Sequence, residues 1–403
     1  MAKVKIAISP KSPQHPEALW DYIRRVYVDA YLRYISPSGV IFVECSEDTA
    51  KRMKLDPTLN VTEVAKIKLS QNPLQEAPTP ASVEIWPNTI AKRLGPAIAW
   101  EAGFRGEGTT VAVLDSGINP HQTLKGKIAY EEALVTETTL DEFGHGTCVA
   151  SIIAGEDTAT GFTGIAPKTT IYNIKMLNER GESDEETAVK AVDRAVELNV
   201  DVINISWGLV DTGNPNEPIR IAVRNASKNK IIVVAAAGNF GPTPSTISSP
   251  ATDPEAVAVG SCTASEIVSE FSSRGPTKEG IVKPEGLGFG ENVVAADPRT
   301  ASGLVKVTGT SYTTPQGSGI AALGKQIFRP YIDREWIERG LKYSSTKPPT
   351  APAPKTVKDN VYGYGTPDFR IYGSVTIPGA PTTIHPDNIL NLILLAILTR
   401  IVG

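Results

Sequence analysis

Histidine, cysteine and an excess of basic charge are all scarce in this sequence, and each shortage removes a class of function. Four histidines in 403 residues, with no His-Glu-x-x-His pair, leave a zinc hydrolase almost nothing to bind its metal with. Three cysteines, Cys45, Cys148 and Cys262, stand far apart; they allow one disulfide at most and form no metal motif. Lys plus Arg number 40 against 44 Asp plus Glu, a net charge of −4. With no basic tract and no aromatic-basic interleaving, nucleic acid is not an expected partner. The first nine residues lack the long apolar core of a signal peptide, which favours a cytoplasmic location. Residues 389–402 are nearly all Ile, Leu, Ala and Val, broken by Asn391, Thr399 and Arg400. That run is shorter than the ~20 residues needed to span a bilayer. A docked terminal helix is the expectation there, with membrane association or self-association through 389–402 as the alternative.

What remains is an ordinary soluble composition, 41% hydrophobic and 21% charged, long enough for one large domain plus a smaller one. Residues 1–70 read as a small α+β unit. A strand is expected at 4–9, then a helix at 17–34 with Trp20, Ile23, Tyr27, Ala30, Tyr31 and Tyr34 on one stripe. A strand at 40–45, a short helix at 48–54 and a strand at 61–69 complete a β-α-β-α-β order. That order predicts a split, ferredoxin-like sandwich. Residues 71–84 are Pro-rich and polar, a linker. From 85 to 345 apolar strands (110–115, 170–177, 201–207, 231–237, 256–262) alternate with helices (184–198, 219–230). Such alternation predicts an α/β domain, a doubly wound and mostly parallel sheet flanked by helices. Functional groups of such sheets collect outside the carboxyl ends of the strands. Asp115, Ser206-Trp207-Gly208 and Gly238-Asn239 fall at those ends. Residues 346–403 are richer in Pro and Thr and read as an extended tail.

One stretch organises the rest: Gly309-Thr310-Ser311-Tyr312, followed by Thr313-Thr314-Pro315 and the small residues Gly317-Ser318-Gly319. Proline suits a helix's first turn, and small residues suit a helix packed very closely. Ser311 then sits at a helix N-terminus, where free N–H groups and the dipole favour negative charge. By itself this serine could equally be an N-cap. A nucleophile needs a base, and the base an orienting acid. His15 and His385 lie in Pro-rich stretches and His121 in a polar loop, whereas His145 has glycine on both sides at the start of an apolar helix. Asp115 ends a buried strand and suits the acid. Asn239, after Ala-Ala-Ala-Gly, carries an amide that could donate to an oxyanion. Cys148, three residues past His145, would lie on nearly the same helix face; an inert buried thiol is favoured over one whose modification crowds the imidazole.

With these residues assembled, the sequence resembles the subtilisin-like serine proteases, or subtilases. Val113-Leu-Asp-Ser-Gly-Ile118, His145-Gly-Thr147, Ala237-Gly-Asn239 and Gly309-Thr-Ser311 with Pro315 look like that family's four signature blocks. Their order Asp…His…Ser is subtilisin's own. The resemblance runs from about Ile85 to Leu323. It implies a serine endopeptidase acting on peptide or protein substrates: Asp115 orients, His145 is base then acid, Ser311 attacks, and Asn239 holds the oxyanion with the Ser311 N–H. It also implies that Ser206, Trp207 and Gly208, with Ala236, Ala237 and Gly238, wall the substrate cleft; Trp207 could narrow that cleft or belong to the core. It further implies that residues 1 to about 80 are an intramolecular inhibitor and folding aid, removed by the enzyme itself; a permanent N-terminal domain is the alternative. No cofactor is expected. Structural calcium is possible in the family, but Thr123 stands where many members carry a calcium-binding aspartate, so no specific metal site follows. Tyr312, Gln316 and Gly286-Leu-Gly-Phe-Gly290 also depart from the family pattern. Two other readings are a ligase that resolves the acyl-enzyme with an amine and a non-catalytic scaffold on the same fold.

Overall fold

A computed structural model describes residues 3–368, apart from 13, 70–83, 330, 331 and 355. The linker expected at 71–84 therefore lies almost wholly outside the described residues, and the apolar segment 389–402 wholly so. Among the described residues no helix is long and apolar enough to cross a membrane.

The N-terminal unit comprises β1 (Lys3–Pro10), α1 (Pro16–Val26), β2 (Tyr31–Ile35), β3 (Ile41–Ser46), α2 (Glu47–Lys54), β4 (Leu59–Glu63) and β5 (Lys66–Lys68). Its antiparallel sheet runs β2-β3-β1-β4. Two expectations change. The helix expected over 17–34 stops at Val26, and Tyr31–Ile35 pairs with β3 instead. Asp29 explains the break: its carboxylate accepts from Ser46 N and Thr49 Oγ1 at the start of α2, which turns the chain before Tyr31. Aromatic and branched residues from 31 onward fit a strand at least as well as a helix. The strand expected at 61–69 is two strands, and the second joins a different sheet.

The larger unit continues with α3 (Pro87–Leu94), α4 (Pro96–Glu101), β6 (Thr110–Asp115), β7 (Ile128–Ala133), α5 (Gly146–Ala154), β8 (Glu156–Asp157), β9 (Phe162–Thr163), β10 (Thr170–Lys175), β11 (Glu182–Asp184) and α6 (Glu185–Glu197). Then follow β12 (Val202–Ile205), α7 (Pro218–Lys228), β13 (Ile232–Ala236), β14 (Ala256–Cys262), β15 (Gly286–Phe289), β16 (Val293–Ala296), β17 (Leu304–Val307), α8 (Thr314–Phe328) and α9 (Arg334–Ser344). Seven strands form one sheet in the order β15-β14-β13-β12-β6-β10-β7, every neighbour parallel. Side chains alternate between its faces, as the pleat requires. Val111 and Val113 of β6 enter the core with α5 and α8, while Ala112 and Leu114 enter the core with α6 and α7. Chain order reverses on either side of β6, so β6, β12 and β13 present their carboxyl ends together at the switch point. The chain past α9 is fastened to the β15 edge: Leu287 N donates to Gly365 O and Tyr364 N to Glu285 O, both at 2.9 Å.

α8 is the central helix against this sheet. A Cβ on Gly317 would lie 3.1 Å from Val234 and Val259, and one on Gly319 would lie 2.6 Å from Ile165 Cβ. Only glycine allows so close an approach, as the small residues suggested. Ser318 Oγ donates to Asn204 Oδ1 of β12 at 2.9 Å, which fixes the helix on the strand that leads to Ser206.

The N-terminal unit docks on α6. Ala7, Val40 and Phe42 share the core with Ala188, Val189 and Val192. β5 pairs antiparallel with β11, and Leu69 N donates to Gly181 O at 2.9 Å. Around that apolar contact, Lys5 Nζ reaches Asp184 at 2.9 Å, Arg33 Nε reaches Glu186 at 3.3 Å, and Tyr34 OH donates to Asp193 at 2.9 Å.

Candidate active site

Asp115 ends β6 with 1% of its surface exposed, and His145, at 3%, precedes α5. His145 Nδ1 faces both Asp115 oxygens, at 2.8 and 3.0 Å. Ser116 N donates to Asp115 Oδ1 at 2.7 Å, which pins the carboxylate from its own backbone. Burial alone would lower the His145 pKa, but the charge and hydrogen bond of Asp115, with the charge of Asp141 behind it, hold it above the ordinary imidazole value. The glycine after His145 is needed for contact: a Cβ on Gly146 would strike the carbonyl oxygen of Gly117.

Asp141 is a residue the sequence reading missed. It is buried, and it accepts from Ser116 Oγ at 2.7 Å, Gly144 N at 2.7 Å and Thr147 N at 2.9 Å. Ser116 Oγ in turn accepts from Gly146 N at 2.9 Å. This cluster locks the entry of α5 to the end of β6, and so holds His145 against Asp115. An acidic residue just before an apolar helix was the available signal, since such residues cap helix starts. Burial pushes the Asp141 carboxyl up, although its N–H and O–H donors all serve the ionised form. On the other side, the Tyr312 ring lies 5.5 Å from the imidazole, centroid to centroid.

Ser311 occupies a 3-10 turn, Thr310–Tyr312, directly before α8. Its Oγ donates to Ser206 O at 2.8 Å, placing the hydroxyl beside the carboxyl end of β12. Asn239 follows β13, and its Oδ1 accepts from Thr310 N at 3.0 Å and Thr310 Oγ1 at 2.8 Å. With the oxygen thus held, the amide NH2 is the end left to donate. Thr310 therefore sets the orientation of Asn239, a second role the sequence reading missed.

The expected cleft walls divide. Gly208 and Gly238 are partly exposed beside Ser311. Trp207 is core: it is 2% exposed and its indole N donates to Leu114 O at 2.8 Å, so its side chain does not narrow the cleft. Ala236 and Ala237 are buried too, and Ala237 donates to Val259 O and accepts from Ser248 N. Ser206 is fully buried and contributes only its carbonyl, since its Oγ is bonded to Asn204 Nδ2. Gln316 spans Phe289 at the end of β15: Oε1 accepts from Phe289 N at 3.1 Å and Nε2 donates to Phe289 O at 2.6 Å.

The calcium position does not fit a cation. Thr123 is 1% exposed and its Oγ1 lies 2.9 Å from His121 Nδ1, which is engaged through Nε2 with Gly303 O. Among the described residues no three His, Cys, Asp or Glu side chains are grouped so that they could hold a metal ion together. All three cysteines are free and buried. Cys148 Sγ contacts the carbonyls of Gly144 and Ala296, and burial pushes its thiol well above the usual range, the properties of an inert packing residue.

The family model described as "Subtilase family" matches residues 106–365. The chain belongs to the subtilase family. Its members are serine proteases, and this subtilase is a serine-type endopeptidase in class. It is 32% identical over 293 residues to Serine protease AprX of Bacillus subtilis, an alignment covering 64% of this chain and 65% of the relative. M-protease of Shouchella clausii is 32% identical over 307 residues, 76% and 74% of the two chains. The Major intracellular serine protease of B. subtilis is 35% identical over 251 residues, 59% and 75% respectively. The seven-stranded parallel sheet between helices is the fold the family implies.

Proposed function

We propose that this subtilase hydrolyses peptide bonds through an acyl-enzyme on Ser311, with His145 as base, Asp115 as its orienting acid and Asn239 as an oxyanion donor. One observation carries the reading: a buried imidazole held through Nδ1 by both oxygens of a buried carboxylate, in the site that also holds a serine at a helix N-terminus. Nδ1 so held is the protonated nitrogen, which leaves Nε2 with its lone pair. With substrate bound, the Ser311 hydroxyl turns from Ser206 O to Nε2, a contact that catalytic groups tighten on binding. Oγ attacks the scissile carbonyl and its proton passes to Nε2. The carbonyl oxygen becomes an oxyanion, stabilised by the Asn239 amide and the Ser311 N–H at the positive end of α8. The imidazolium gives its proton to the departing amine. Water then repeats the sequence against the acyl-enzyme and returns the free serine.

The same protein is made, in this reading, as a zymogen whose N-terminal unit inhibits until it is cut. The strand β5 pairs with β11 in a two-stranded sheet, and Gly181 packs between Leu69 and the ring of Phe143, two residues before His145. Leu69 of the N-terminal unit thus packs near the loop that carries His145. A parallel sheet also folds slowly because its contacts are non-local, so a docked partner on α6 would lower that barrier.

A fluorophosphonate probe followed by mass spectrometry tests the chemistry, and chain length tests the processing. Wild type is expected to take the label on Ser311 and to shorten to a form beginning between about 71 and 85. Ser311→Ala takes no label and stays full length. Labelling at another serine would refute the nucleophile, and full-length wild type with undiminished activity would refute the zymogen.

A further inference from the structure

Three departures from the family pattern, Tyr312, Gln316 and the run Gly288-Phe289-Gly290, touch one another in the fold. Gln316 is buried in the first turn of α8 and uses both amide hydrogens on backbone: Nε2 donates to Tyr312 O at 2.8 Å and to Phe289 O at 2.6 Å. Its seat exists because position 288 is glycine, since a Cβ there would lie 2.8 Å from Gln316 Oε1. Gly290 O accepts from Gly309 N at 2.8 Å, and Tyr312 N donates to Gly309 O at 3.1 Å. The end of β15 therefore holds both ends of the turn that carries Ser311. The Tyr312 side chain is buried, and its ring lies 5.5 Å from the His145 imidazole, centroid to centroid, at 46°. Rings at that separation are in packing contact.

The imidazole needs a support of this kind. Asp115 binds it through one nitrogen, Nδ1. A flat ring tethered at one atom can rock about it, and rocking carries Nε2 out of line with the serine hydroxyl. We infer that Tyr312 is a positioning residue for His145: its ring braces the imidazole on Asp115 with Nε2 toward Ser311, and Gln316, seated over Gly288, holds Tyr312 in place. The inference rests on His145 and Ser311 being the base and nucleophile of the proposed hydrolysis. One turn then carries the nucleophile and the support of its base, so a shift of that turn moves the two together. The brace uses the flat ring and not the hydroxyl.

Kinetics of variants on one peptide substrate, with each protein titrated to its end point by a fluorophosphonate, test this on competent sites alone. Tyr312→Leu should lower kcat per site roughly 10–100-fold, the scale of a small misalignment, with KM within about twofold. Tyr312→Phe should stay within about twofold of wild type in both. Gln316→Met keeps the length and loses the bonds. It should lower kcat at least about threefold by itself and no further when added to Tyr312→Leu, because coupled residues are not additive. The downfield proton signal of Nδ1–H should exchange faster with water in Tyr312→Leu and not in Tyr312→Phe. A merely structural role would lower the titre or the thermal midpoint and leave kcat per site unchanged. If Tyr312→Leu does not fold, Tyr312→Met carries the same expectation. Wild-type kcat in a titratable variant without the ring, or full additivity of Gln316→Met with it, would overturn the inference alone. Wild type that takes no label would overturn the Ser311 assignment and this inference with it.

Discussion

At the scale of single residues the site depends on groups held from behind. Asn239 can offer its amide only because Thr310 holds its oxygen. Asn239→Ala should lower kcat by ~10²–10³ with little change in KM, the magnitude established for such a donor in subtilisin rather than one derived from this chain. Progress curves at saturating and limiting substrate separate the two parameters, and an unchanged kcat removes Asn239 from the site. Asp141 acts on His145 through charge as well as position. In the proposed mechanism neutral His145 is the working form, and its pKa lies above the ordinary value, so the acid limb of kcat/KM should lie above that value. Asp141→Asn keeps the shape and takes away the charge. The imidazolium is then less favoured, its pKa falls, and the acid limb moves to lower pH. A pH profile that does not move would reduce Asp141 to a purely structural capping residue.

At the scale of elements the clearest case is the contact of α8 with β15. Gly-Leu-Gly-Phe reads poorly as a strand because glycine has no side chain to pack and weakens strands. It is a strand here because its glycines admit a close neighbour: a Cβ on Gly288 would lie 2.8 Å from both Thr313 Cβ and Gln316 Oε1. Gln316 then satisfies both backbone groups of Phe289. Gln316→Ala would leave that N–H and C=O buried and unpaired, at a cost of about 1–3 kcal/mol for each group left unsatisfied. A lower thermal midpoint of the active-site-blocked protein checks this, and a midpoint equal to wild type would show that water replaces the side chain. The helix expected at 17–34 failed for the opposite reason. Its apolar spacing was compatible with both periods, and Asp29, which ends the helix, bonds to residues 17 and 20 positions away. A window of one turn cannot see such a partner.

At the scale of the molecule the N-terminal unit covers charge on α6. Asp193 is buried under Tyr34 and Ser36, and its pKa is raised to about 6, mainly by burial, with Glu197 adding to it against the hydrogen bonds from Ser36 and Tyr34. The sign follows from linkage. A carboxyl whose docked pKa exceeds its free value favours docking while it is protonated, and that contribution is lost as pH rises from the free value, near 4, to about 6. Inhibition of the processed enzyme by added residues 1–75 should therefore weaken from pH 4.5 to 6.5 and then level off. Asp193→Asn should flatten the curve. Inhibition that strengthens over that interval, or a curve unaltered in the variant, would contradict the account.

The local chemistry of the sequence determined the strand-helix alternation of the sheet and marked Asp115, His145, Asn239 and Ser311 as the candidates for the site. Each depends on a neighbour a few residues away: a glycine beside the imidazole, small residues after the serine, an apolar run before the acid. Only the tertiary structure decided which of the named wall residues face the cleft. The Trp207 side chain was drawn inward by the carbonyl of Leu114, and Ala237 used both of its backbone groups on Val259 and Ser248. The roles of Asp141, Thr310 and Gln316 were invisible for the same reason. Their partners lie on other elements, brought within hydrogen-bond reach only when the sheet closes and α8 settles on it.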